Sequence, residues 1–165
     1  SGSWTGLLLK KAGVKIHLQD GKGYSITLKN PSLRPRIPTI LSEAKVAVTP
    51  MGDDLRIGGT LELSGLSKKI NQKRVEGIIE SMPKYYKNVD VPFDNKTEIW
   101  KGYRPCTPDG MPYIGQSEYL SNLFVGTGQG MMGLSLGAVT GKLLSEIITN
   151  EQPLMAVEPF RINRF

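Results

Sequence analysis

The stretch Phe124-Val125-Gly126-Thr127-Gly128-Gln129-Gly130-Met131-Met132-Gly133-Leu134-Ser135 runs from an apolar segment, through a glycine-rich passage, into a helix-like one. A strand is expected to stop near Val125. The glycines then let the backbone come close to something, and a helix begins near Met132. Gly128, Gly130 and Gly133 also spell G-x-G-x-x-G, the pattern of a dinucleotide-binding turn. That fingerprint requires a β-α-β unit and an acidic ribose ligand after it, and residues 134–165 are too few to supply them. The first turn of a helix carries unpaired N–H groups and the positive end of the helix dipole, which suits an electron-rich or anionic group. A turn serving only close helix packing fits equally well, because Gly137, Ala138 and Gly141 give the helix a small-residue face. On these residues alone the two readings stand level.

The rest of the chain narrows the choice of partner. Its 165 residues suffice for one domain, or one domain and part of another. With 39% hydrophobic and 22% charged residues, the composition is that of an ordinary globular protein. The longest apolar runs, such as Gly6-Leu7-Leu8-Leu9, fall far short of a bilayer span. The opening SGSWTGLLLKK has its charges after its apolar stretch, unlike a signal peptide. Cys106 is the only cysteine, so no intrachain disulfide forms, which fits a reducing, cytoplasmic setting. The net charge of +6 raises the question of nucleic acid, but the basic residues are scattered. Their densest run, Ser67 to Arg74, reads as a solvated helix face, so no nucleic-acid partner is expected.

Along the chain, Trp4–Ala12 reads as a short helix closed by Gly13. Val14–Leu18 and Gly23–Leu28 alternate apolar and polar residues, as strands do. Lys45–Thr49 and Leu55–Leu63 form a strand pair around the turn Pro50–Asp54. Lys68–Tyr86 is expected as a helix with Ile70, Val75, Ile78, Ile79 and Met82 on one stripe and Ser67 as N-cap. Thr97–Tyr103, Pro112–Ile114 and Leu123–Val125 are further strands, Gly133–Asn150 the last helix, and the residues from Glu151 onward an irregular tail. This order implies an α+β fold with a mostly antiparallel sheet and a covering helix.

A second feature is Trp100-Lys101-Gly102-Tyr103-Arg104-Pro105-Cys106-Thr107-Pro108-Asp109-Gly110-Met111-Pro112-Tyr113-Ile114-Gly115. An arginine at the end of a strand, before a rigid turn, has a fixed place and a fork that matches a carboxylate. The plainer alternative is an ion pair with a local acid such as Asp109. Taken together, the W-x-G-x-R-P-x-T-P-D-G-x-P-x-I-G run, the N-L-F-V-G-T-G-Q-G-M-M-G run and the T-G-K-L-L-S-E-I-I helix resemble the C-terminal portion of FAD-dependent D-amino-acid dehydrogenases. The wider group includes glycine oxidase. Gly2-Ser3-Trp4-Thr5 is similar to the family segment where the chain leaves the dinucleotide domain. The resemblance is strong from Trp100 to Asn150, thinner over Gly2 to Gly23, and weak between.

The resemblance implies that residues 1–22 are an exit segment from the FAD domain and 23–103 a substrate-binding domain. Residues 104–165 then return to the FAD domain with the C-terminal strand and helix. The family's true fingerprint lies near its N-terminus, before this chain begins. The glycine loop then faces the pyrimidine edge of the flavin, where N–H groups stabilise negative charge on the reduced ring. Gly128, Gln129, Gly130, Met131, Met132, Gly133 and Leu134 line the cofactor, with Met131 also toward the substrate. Arg104 falls on the family's carboxylate-binding arginine, holding the substrate α-carbon over flavin N5. Gly102 stands where sarcosine-oxidase relatives tether flavin through a cysteine, so FAD is expected to be non-covalent. Relatives offer a tyrosine near Ala47; here Ala47 and its neighbour Lys45 mark a departure that bears on substrate choice.

His17 is read as an ordinary surface residue, and no residue stands out as a catalytic base or metal ligand. The implied activity is oxidation of an amino-acid CH–NH2 group, with oxygen or a quinone accepting the electrons. The parent enzyme is placed in the cytoplasm, with a peripheral inner-membrane position open to it, and this fragment alone is expected to be inactive. The apolar residues of helix 133–150 exceed what one face needs, which leaves surface for another domain or a second copy. The competing reading is a stand-alone binding domain whose glycine loop captures an anion.

Overall fold

Alternation builds the larger sheet. Tyr24, Ile26 and Leu28 share one face of a strand, Val46 and Val48 of a second, and Leu55 and Ile57 of a third; all are buried. The computed structural model describes residues 1–32, 34–87, 91 and 98–165. It contains helices α1 (Thr5–Lys11), α2 (Gln72–Tyr85) and α3 (Gly133–Ile148). Its strands are β1 (Gln19–Leu28), β2 (Thr39–Leu41), β3 (Val46–Met51), β4 (Asp54–Glu62), β5 (Ile99–Cys106), β6 (Tyr113–Gln116) and β7 (Phe124–Thr127). The strands form a five-stranded sheet ordered β2-β3-β4-β1-β5 and a two-stranded β6-β7 sheet. The fold is α+β, with antiparallel β1-β4, β2-β3, β3-β4 and β6-β7 pairs.

The chain divides into two units. One comprises residues 22–62 and 67–102; the other comprises 1–21, 63–66 and 103–165. In the first, the register Ile26↔Ile57 and Val48↔Ile57 lines up the inward side chains. Helix α2 packs against them with Val75, Ile78 and Met82, spaced along one helical stripe. An ionic group completes this core. Lys22 is 1% exposed, and its Nζ meets Glu62 Oε1 at 3.1 Å, the Ser67 carbonyl at 3.2 Å and the Lys69 carbonyl at 2.8 Å. Tyr24 donates its hydroxyl to Glu62 at 2.8 Å and accepts the Asn71 N–H at 3.1 Å.

That network explains one departure from the sequence reading. Residues 68–71 are not helical, and α2 starts at Gln72 with Asn71, not Ser67, in the cap position. Lys22 and Tyr24 take the backbone groups of this segment, so tertiary polar partners override its helical pattern. Val14–Leu18 is likewise no strand, although Val14 is buried while Lys15 and His17 are exposed. The short β2, in the proline-punctuated region, was not expected. Thr97, at the expected start of β5, lies outside the described residues.

In the second unit, a small cluster of Leu9, Val14, Val125 and Ile162 holds α1, β7 and the tail together. Thr127 on β7 donates its hydroxyl to Thr5 Oγ1 on α1 at 3.2 Å. Helix α3 has an inverted pattern: Thr140, Leu143 and Glu146 are buried, while Leu134 and Ile148 are exposed. Glu146 accepts Lys142 Nζ at 2.8 Å and the Leu154 N–H at 2.9 Å, which together hold its carboxyl below the usual range. Among the described residues no helix is long and apolar enough to cross a membrane.

Candidate active site

Arg104 sits inside β5, which continues two residues past it to Cys106, rather than at the strand's last position. Its side chain is half-buried. Asp109, the local acid that offered a plain explanation for Arg104, is engaged by Arg164 instead, at 2.9 Å. Among the described residues Arg104 makes no ion pair. A partly buried guanidinium without a carboxylate partner is costly unless something else uses it.

The glycine loop is fastened to the same strand. The Gly130 N–H donates to the Pro105 carbonyl at 3.0 Å, one residue from Arg104. Gly128 and Gly130 adopt φ of 85° and 54°, a region that favours glycine. At Gly128 a Cβ would lie 2.6 Å from Thr107 Cγ2, whereas at Gly130 it would meet nothing within 4 Å. Gln129 Nε2 donates to Thr140 Oγ1 on α3 at 3.4 Å, and the Met132 N–H to the Gln129 carbonyl at 2.9 Å. The loop is therefore built by tight contacts on one side and is open on the other.

Helix α3 then begins without a side-chain cap and without an acidic residue in its first turn. Its first bond to the preceding turn is Leu136 N–H to the Met132 carbonyl at 2.8 Å. The N–H groups of Gly133, Leu134 and Ser135 precede that bond and lack an intrahelical acceptor. Met131 and Met132 are exposed, and Leu134 is 99% exposed. The arrangement can receive a flat, electron-rich group against backbone N–H donors, with a cation nearby along β5.

The other expected residues have different surroundings. Gly102 lies under the Trp100 indole, where a Cβ would come within 2.3 Å of the ring. Lys45 and Ala47 belong to the other unit, and both are exposed. Ala47 pairs with Ile40 on β2 and Gly58 on β4. His17 is exposed, its ring edge-on to Phe165 at 6.1 Å.

Arg164 escaped the sequence reading, which left the C-terminal residues as an irregular tail. The one cue was the aromatic and apolar spacing Phe160, Ile162, Phe165 around it, a docking pattern in a segment without regular structure.

Comparison with known proteins identifies the family. The FAD dependent oxidoreductase family (DAO) matches residues 1–147. The D-amino acid dehydrogenase of Bradyrhizobium diazoefficiens is 33% identical over 99% of this chain and 39% of its own length. That of Methylobacterium radiotolerans is 34% identical over the same shares. Glycine oxidase from Geobacillus kaustophilus superposes with a TM-score of 0.82 at 23% identity, over 100% of this chain and 44% of its own. L-proline dehydrogenase from P. horikoshii gives 0.80 at 22%, over 100% and 45%. At those identities the two structures attest to the fold. The chain spans about two fifths of the length of the curated relatives it matches. It belongs to the DAO family of FAD dependent oxidoreductases.

Proposed function

We propose that this chain is the substrate-facing and flavin-facing part of an enzyme that oxidises the CH–NH2 group of an amino acid, a D-amino acid as in the dehydrogenases it resembles. A further segment would hold the ADP half of the cofactor, so this part is inactive alone. On this reading residues 23–103 form the substrate-binding domain, with Lys45 and Ala47 shaping side-chain choice. Residues 1–22 and 104–165 belong to the FAD-binding domain. The enzyme works in the cytoplasm and passes its electrons to oxygen or a quinone.

The residues fit a flavin on observations of the chain itself. Gly130 leaves space that a Cβ would fill, α3 starts uncapped, and Met131, Met132 and Leu134 present an apolar rim. Gly128 to Leu134 would hold its pyrimidine edge without a covalent bond. FAD, when bound, supplies the acceptor for the hydride leaving the substrate α-carbon. The chain's own contribution is position: the fixed fork of Arg104 binds the substrate carboxylate and orients the α-carbon. The N–H groups of the loop and of the first turn of α3 supply preorganised positive potential.

The observation that carries the reading is Arg104, half-buried, unpaired among the described residues, and bonded through its neighbour Pro105 to the loop. In the complete flavoprotein, Arg104→Ala should raise KM for the amino acid by about two orders of magnitude and leave flavin binding near normal. Loss of flavin with an unchanged KM would overturn the carboxylate assignment. Binding of a simple anion but no flavin, with the dinucleotide-binding segment supplied, would favour the binding-domain reading instead.

A further inference from the structure

Residues 161–165 look like a loose end, yet Ile162 is buried in the cluster with Leu9, Val14 and Val125. Two residues on, the Arg164 side chain is 11% exposed, and all five of its N–H donors have acceptors. Nε meets Asp109 Oδ2 at 2.9 Å, and Nη2 meets Asp109 Oδ1 at 3.0 Å and the Met111 carbonyl at 2.6 Å. Nη1 donates to the carbonyls of Pro112 at 3.2 Å and Arg161 at 3.1 Å. The guanidinium also lies 4.0 Å from the centre of the buried Tyr113 ring. An exposed ion pair contributes little, but this one is bidentate and stacked, and its guanidinium is shielded even though Asp109 is exposed.

What Arg164 grips is the turn between the two halves of the candidate site. The Met111 carbonyl that it holds also accepts the Thr107 hydroxyl at 2.8 Å, and the Met111 N–H returns to Asp109 Oδ1 at 3.0 Å. Thr107 in turn occupies the space beside Gly128, and Pro112 and Tyr113 lie 3.6 Å from where a Gly128 Cβ would be. At the other end of the turn, Pro105 accepts the Gly130 N–H. The turn thus fixes the loop at Gly128 and Gly130 and continues directly from the strand that carries Arg104.

We propose that Arg164 is a positioning residue: its fork sets the shape of the 107–112 turn and thereby the placement of the 128–130 loop beside Arg104. This inference rests on the proposed function only for its catalytic consequence; its structural part concerns the chain by itself. A lysine would keep the charge but could not make the paired, stacked contact.

The test is Arg164→Lys, read in two ways. In the chain itself, amide exchange should speed up about tenfold at Met111 and Gly130, the scale of one charged hydrogen bond, while Ile26 and Ile57 stay at wild-type rates. Unchanged exchange at Met111 and Gly130 would overturn the proposal, even with a lower melting temperature. In the flavin-loaded complete protein, well below its melting temperature, the variant should show lower kcat/KM and an altered flavin absorption band. Faster exchange with wild-type kinetics and spectrum would reduce Arg164 to a tether of the C-terminus and sink the positioning role. A wild-type protein that takes up no flavin would instead defeat the proposed function, and the exchange result alone would then decide this inference. If Arg164→Lys does not fold, Asp109→Asn, which keeps the carbonyl contacts, should show the same directions at smaller size.

Discussion

The unit built on β1 to β4 and the unit that carries Arg104 bury their hydrophobic residues very differently. Among the described residues the first packs eleven buried side chains, from Tyr24 to Met82, into one cluster between sheet and helix. The second has, among the described residues, a cluster of four and exposes Trp4, Leu7, Leu8, Met131, Met132, Leu134 and Ile148, while the first exposes Ile37, Ile40 and Trp100. Their ionic groups differ in the same sense. Lys22 in the first unit ties strand ends to the approach to α2, whereas Arg164 in the second holds the 107–112 turn. One unit uses a buried charge to complete a core; the other uses a shielded one to fix a turn.

The sharpest way to break this contrast is at Lys22. Lys22→Met should cost about 3 kcal/mol, because Glu62 and two carbonyls lose their buried cation. Denaturant unfolding measures it, and a cost near zero would make the network ornamental. A pH titration should separate the units next. Burial by itself lowers the Lys22 pKa, but Glu62 and Tyr24 outweigh it and raise the ammonium above the ordinary lysine value. Its stabilisation is thus complete at neutral pH and is lost as pH rises through that raised value. The Arg164 guanidinium holds the Asp109 carboxyl well below the usual carboxylate range. That stabilisation is complete above the ordinary range and is lost only as pH falls through the depressed value. Methyl resonances of Ile57 and Val125 should report the alkaline and acidic transitions respectively; the reverse order would refute the assignment.

The smallest effect is expected at the helix start. Met132→Asp should stabilise α3 by about 0.5 kcal/mol, because the uncapped terminus gains an acceptor and a favourable charge. In the flavin-loaded protein the same charge should make the cofactor harder to reduce, moving its midpoint potential downward. A stabilised helix with an unmoved or raised potential would mean that the loop is packing alone.

How far the sequence could be read follows the same division. Strands β1, β3 and β4 of the larger sheet were legible because their sequences alternate apolar and polar residues, whereas β2 carries too short a pattern to be read. Val14–Leu18 misled for an instructive reason: its side chains do alternate between buried and exposed, but no neighbouring strand pairs with it. Period two records the two sides of an extended chain, not its hydrogen bonds. Residues 68–71 have a helical pattern that Lys22 and Tyr24, far away in sequence, prevent from forming. The strand before Arg104 and the glycine turn were readable from local sequence, although β5 runs two residues past Arg104 instead of ending there. The Asp109–Arg164 pair spans 55 residues, and nothing local to Asp109 identifies its partner.

The indole resting on Gly102 has a consequence for how such an enzyme would be supplied. A cysteine at 102 could not simply be added, since its Cβ would collide with Trp100 until that ring moved. With glycine at 102 there is no side chain from which a permanent bond to the cofactor could form. Under the proposed function the cofactor is then held by equilibrium alone. The active fraction of enzyme would follow the free flavin concentration by mass action, and a cell short of riboflavin would lose this activity by dilution, with the protein itself intact.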